Sequence, residues 1–203
     1  MGVSGSLGAM RGVAACLLVI GVMALGGCDG TPQAEPTTAA PTPTTTPLSA
    51  YSTPIEATVS RSLFCDRVSP TAIEHAIGGP AEESQKWVNG DPTPTGDKGR
   101  EYGCSWSTAG GGHASAWVFA PPITRARATA LARMGPGMKC TPSKSPLAFG
   151  DPMSSYACGL NTGQQMTQLA GLFGDAWLTC QAPSDAVDEF CGAILAAASA
   201  TVG

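Results

Sequence analysis

The groups of this 203-residue chain best suited to chemistry are eight cysteines, two histidines and fifteen carboxylates. His113, in "GGGHASAW", is the histidine that follows a Gly-rich turn and opens a strand-like run. A Ser/His/acid relay would also need a nucleophile on a strained turn, and "GCSWSTAG" lacks the G-x-S-x-G spacing that builds one. His113 therefore reads as an exposed strand-end residue. His75 falls off the apolar face of a short helical segment and reads as solvated. Glu82 and Glu83 are adjacent, so a strand would send them to opposite faces, where they could not flank one bond. There is no H-E-x-x-H and no Asp-rich calcium loop. No C-x-x-C occurs, and two histidines cannot supply the usual zinc spacings. No catalytic residue, metal or cofactor is expected, and a hydrolase is the distant alternative.

The cysteines carry a different message. Cys16 lies inside an amino-terminal apolar run and Cys28 ends it, leaving Cys65, Cys104, Cys140, Cys158, Cys180 and Cys191. Six thiols in an exported domain read most simply as three disulfides; reduced thiols are the alternative. Six cysteines allow fifteen pairings. Proximity suggests Cys180–Cys191, Cys65–Cys104 and, by remainder, Cys140–Cys158.

Residues 12–27 are apolar or small, with Arg11 just before them. A positive residue followed by an apolar run of about 16 residues has the form of a secretory signal, and is shorter than the about 20 residues of a spanning helix. Met10 is an alternative start that would give a more compact signal. The run closes with Leu25-Gly26-Gly27-Cys28, which resembles a bacterial lipobox. The resemblance implies that the Cys28 thiol takes a diacylglyceryl group and that cleavage follows Gly27; the alternative is an ordinary cleaved signal. Buried methylenes contribute about 0.8 kcal/mol each, so two or three acyl chains anchor far more firmly than one.

Residues 31–54, "TPQAEPTTAAPTPTTTPLSAYSTP", hold too few apolar side chains to build a core. They read as a semi-extended tether. The expected organisation is a signal over 1–27, a lipidated cysteine and disordered linker over 28–54, and a folded domain over 55–203.

Within that domain, "VSPTAIEHAIGG" carries helix punctuation: Ser69 to cap, Pro70 in the first turn, Gly78 to close. Strand-like segments follow at 85–88 and 101–107, separated by the turn-rich "NGDPTPTGDKG". His113 to Ala120 reads as a strand and Thr124 to Met134 as a helix. "SSYACGL", "QQMTQLAG" and "DAWLTCQ" read as three more strands. Val187, Phe190, Cys191, Ile194, Leu195 and Ala198 form one helical stripe. "AWVFAPPITRARATAL" and "AWLTCQAPSDAVDEF" both run strand, proline turn, helix, which reads as a plain β–turn–α requirement rather than a duplication. The expected class is α+β: a single disulfide-stabilised domain with an antiparallel sheet and helices mainly on one face.

"FCDRVSPTAIEHAIGG" followed by "YGCSWS" resembles an actinobacterial lipoprotein family, domain of unknown function 3558. The family order is lipobox, Thr/Pro tether, a cysteine before a short helix, then Cys-Ser/Thr-Trp on a strand. The resemblance covers most of the mature domain in layout and residues 65–107 in motif. It implies an envelope lipoprotein and supports Cys65–Cys104, but transfers no catalytic residue.

Strand alternation puts Ala116, Val118 and Ala120 on one face and Trp117 and Phe119 on the other. By the same alternation Trp177 points away from the helix that Cys180 would meet through Cys191. Trp117 and Trp177 are thus expected on a sheet face that the helices leave uncovered, lining a cleft for a lipid, glycan or peptide ligand; the plainer alternative is core packing under loops. The expected function is a non-catalytic binding module anchored through Cys28 to the outer face of the cell membrane. The alternative is a structural or sensory accessory that docks on an envelope protein. With charged residues at 13% and a formal balance of −4, nucleic acid is excluded as a partner because phosphate neutralisation needs clustered Lys and Arg.

Overall fold

Proline and glycine punctuation sets the first helix, α1 (Pro70–Ile77): Pro70 supplies a fixed φ in the first turn, and Gly78 closes it at φ 76. Ser69 holds the N-cap position and its carbonyl accepts the first helical bond, from the Ile73 N–H, but the expected hydroxyl cap is not made. A 3₁₀ turn, Cys65–Arg67, precedes this helix. The computed structural model describes residues 57–137, 139–144, 148–159 and 163–199. The expected signal, Cys28 and the tether through residue 54 lie outside the described residues.

Seven strands follow: β1 (Glu83–Trp87), β2 (Glu101–Ser107), β3 (His113–Phe119), β4 (Cys140–Pro142), β5 (Met153–Gly159), β6 (Gln165–Phe173) and β7 (Ala176–Pro183). They form one sheet in the order β1-β2-β3-β7-β6-β5-β4, and every pairing is antiparallel. Helix α2 (Arg125–Met134) connects β3 to β4, and α3 (Val187–Ser199) follows β7. The fold is α+β.

One sheet face is dry. Cys104, Trp106, Ala114, Ala116, Val118, Leu169, Leu178 and Cys180 pack there with α1 and α3 in the main core. All six stripe residues of α3 are buried. Asp188 and Glu189 stand in its first turn, where they complement the positive end of the helix dipole. At the other end of α3, Arg67 Nε donates to the Ala197 carbonyl at 2.9 Å and the Ser60 N–H donates to Ala198. The amino-terminal strap thereby satisfies carbonyls that the helix leaves unpaired.

Helix α2 takes the opposite face. Thr124 caps it by accepting from the Arg127 N–H. Ala128 is fully buried in a cluster with Ile123, Ala170, Leu172 and Trp177. Arg125 pairs with Asp151 at 2.7 Å, and the Tyr156 hydroxyl donates to the Ala132 carbonyl. Two of the three α-helices therefore share a face and the third does not. This bears on the repeat-like halves. An antiparallel β3–β7 centre admits only a two-fold axis normal to the sheet, which would keep α2 and α3 on one face. Their opposite placement supports the plain β–turn–α reading.

Three disulfides join Cys65 to Cys104, Cys140 to Cys158 and Cys180 to Cys191, as proximity suggests. The first ties the 3₁₀ turn to β2, the second clasps β4 to β5, and the third pins α3 to β7.

Candidate functional site

The α2-side face of the sheet is only partly covered. On it the strands bring together, in register, Gln85, Ser105, Ser115, Gln181, Gln168 and Tyr156. The neighbouring row is Trp87, Gly103, Trp117, Thr179 and Ala170. Period-two alternation explains why both rows face away from α1 and α3. Gly103 is required in the second row. A Cβ there would sit 2.1 Å from the Trp87 ring, so the missing side chain is what lets that indole lie on the strand.

Two clefts open over these rows. The larger has a volume of 690 Å³, and its lining includes Trp87, Glu101, Ser105, Ser115, Trp117 and Phe119. The smaller, of 470 Å³, lies toward α2 and β5 and includes Trp177, Gln168 and the Cys140–Cys158 pair. Trp117, Phe119 and Gln181 line both, so the clefts meet along the middle of the sheet. Both volumes fall in the range of about 300–1,000 Å³ that small-ligand sites occupy. The turn-rich segment at 89–99 folds as a small hairpin, with Pro92 bridged to Lys98 and the Thr93 N–H donating to Asp97. It forms one wall of the larger cleft through Thr93, Pro94 and Thr95.

The two indoles expected on an uncovered face share that face but not that exposure. Trp117 is partly exposed at the junction of the clefts, whereas Trp177 is 4% exposed beneath α2. The expectation is corrected for Trp177: α2 crosses to this side of the sheet, and its Ala128 packs with Trp177 beside Ile123, which precedes the helix. Trp87 is an aromatic cleft residue that the sequence alone did not single out, and Phe119, placed on the outward face with Trp117, was not named as a ligand contact. For Phe119 the alternation of β3 was a sufficient signal. For Trp87 the signal would have been the glycine at 103, uninterpretable without the β1–β2 register.

The charged residues of the larger cleft are Asp97, Lys98, Arg100, Glu101 and Arg127, and Lys139 lines the smaller one; none of them stands in the row from Gln85 to Tyr156. Burial raises Glu101 above the usual carboxylate range, offset in part by the hydrogen bond it accepts from Trp87 Nε1 at 3.1 Å. Burial lowers His113 below the ordinary imidazole value. His113 is partly buried rather than exposed. Glu101 pairs with Phe119 and Ser107 with His113 at opposite ends of the β2–β3 ladder. That separates Glu101 from His113 by about 20 Å, six strand steps, too far for proton exchange between them. His75 is 60% exposed and pairs with Glu189 at 3.0 Å. Among the described residues no group of three or more His, Cys, Asp or Glu side chains is placed to hold a metal ion, and no helix is long and apolar enough to cross a membrane.

Glu101 gives a pH test. Its folded pKa is raised, so the folded state binds more protons than the unfolded state, and stability falls as pH climbs from the unfolded value, about 4.3, through the folded one. Glu101→Gln removes the charge and keeps an acceptor for Trp87. The variant is expected to unfold at a higher urea midpoint than the parent at pH 7, with the difference gone at pH 3. A variant less stable at pH 7 would contradict this.

Comparison with family models, curated proteins and solved structures finds no match to this chain.

Proposed function

We propose that this chain is a lipid-anchored cell-envelope protein whose folded domain is a non-catalytic binding module for a small ligand. One observation carries the binding reading: a partly exposed indole, Trp117, stands where two clefts meet, flanked by uncharged hydrogen-bonding side chains. An apolar platform with a few convergent polar groups is the usual make-up of a ligand site. A docking accessory would need a flat patch, and the surface around Trp117 is concave.

The anchored part of the reading rests on the Leu-Gly-Gly-Cys28 ending and the Thr/Pro tether. Three bridges suit an oxidising compartment. The resemblance to the actinobacterial lipoprotein family rests on its sequence motifs, and the Cys65–Cys104 bridge joins the two that carry it.

Native mass spectrometry of the chain released gently from its own membrane tests the binding reading. A small molecule retained by the parent and lost from Trp117→Ala is the expected result. A ligand-free parent in repeated preparations, or retention that ignores Trp117, would contradict it.

A further inference from the structure

The chemistry of the two rows narrows the ligand. Ser105 and Ser115 are each 7% exposed and Thr179 is 2% exposed. Their hydroxyls and the Gln181 amide border the clefts. None of the four is paired with another described side chain. Each hydroxyl and amide both donates and accepts, and none is charged. They run beside the Trp117 ring, whose negative face attracts the C–H groups of a ring-bearing ligand.

We infer that this face binds a short neutral oligosaccharide, a ring face stacked on Trp117 and its hydroxyls bonded by Ser105, Ser115, Gln181 and Gln168. The inference rests on the binding-module reading and names its ligand class. Sugar hydroxyls donate and accept, as this row does, and the C–H face of a pyranose matches an aromatic platform. From Ser105 to Gln168 the row crosses four adjacent strands, a span of about 14 Å. A short oligosaccharide covers that length and a single sugar does not.

Two other ligand classes fit less well. An acyl chain would take the serines and glutamines out of water without giving them partners, which is unfavourable. An extended peptide is held by main-chain bonds to an open strand edge. Here the cleft floor is the face of interior strands β2, β3 and β7, whose main-chain groups are already spent in the ladder. The row itself holds no charged side chain, so neither an anion nor a cation finds a counter-charge along it.

The test is isothermal titration of the full chain in detergent with five probes: cellotriose, maltotriose, N,N′,N″-triacetylchitotriose, palmitate and trialanine. Saturable binding of at least one trisaccharide is expected, with palmitate and trialanine silent. Trp117→Ala should weaken it about tenfold and Gln181→Ala about fivefold. Trp117→Phe keeps a platform and should restore most of the affinity. Gln181→Ala removes only a cleft-facing amide, so an unchanged urea midpoint separates lost binding from lost folding. Trisaccharide binding that ignores both positions would overturn the inference. Trp117-dependent binding of palmitate or trialanine without any trisaccharide would overturn the oligosaccharide assignment and leave the binding module standing. Silence of all five probes would overturn the assignment too, and the binding module would then stand or fall on the retained-ligand measurement.

Discussion

Phe190→Ala is expected to lower the unfolding free energy by about 3–5 kcal/mol, the scale of an aromatic ring deleted from a core. The side chain is fully buried and meets Trp106 edge to face, with ring centroids 5.9 Å apart and an interplanar angle of 83°. It projects from α3 onto the strands that carry Trp106 and Leu178. Relaxation there is restricted: the strands are fixed by their ladder, and the next residue, Cys191, is bonded to Cys180. The void should therefore persist. Domains of this size have only about 5–15 kcal/mol in hand, so the change removes a large share of stability. Urea unfolding followed by far-ultraviolet circular dichroism measures it. A loss under about 1 kcal/mol would mean that α3 does not pack as described.

The paired replacement Cys65→Ala with Cys104→Ala should cost about 4 kcal/mol. The bridge closes 39 residues of chain, and constraint of the unfolded state grows with the logarithm of that length. The Cys180–Cys191 bridge closes only 11, which gives about 3 kcal/mol by the same relation. The longer bridge has a second role. It fastens the 3₁₀ turn, and with it Arg67 and the strap at the end of α3, to the second strand of the sheet. Its loss should expose the α3 carboxyl end to amide exchange earlier than the strands. Equilibrium unfolding of the double variant beside the parent gives the magnitude, and an unchanged midpoint would contradict the pairing.

Much of this fold was readable because its signals are local. Pro70 and Gly78 bracket α1, and a six-residue stripe marks α3. The strand at 101–107 was found at its observed limits, and β3 within one residue. The disulfides match the pairing that proximity suggests among fifteen, and each joins segments that pack as neighbours. What escaped was non-local. Strand β4 is three residues long, too short to show a period. The β3–β7 pairing at the sheet centre brings together strands far apart in sequence, and no alternation pattern encodes that choice. Helix α2 buries only Ala128 among its residues and carries three arginines, so nothing in its pattern announced the face it would cover.

That last point decided the site. Trp117 and Trp177 were legible as outward-facing, but whether an outward-facing indole is open or covered depends on what crosses it. The hydrogen-bonding row was hidden for a related reason. Ser105, Ser115, Gln181 and Gln168 are unremarkable singly and become a row only through three separate strand registers.

An anchored domain working outside the cytoplasm is tested most directly by the mass of the amino-terminal peptide of the chain from its own host. The expected species begins at Cys28, carries a diacylglyceryl group on that sulfur and comes from the membrane fraction. An unacylated chain recovered from the cytosol, with residues 1–27 in place and the six later thiols free, would contradict it.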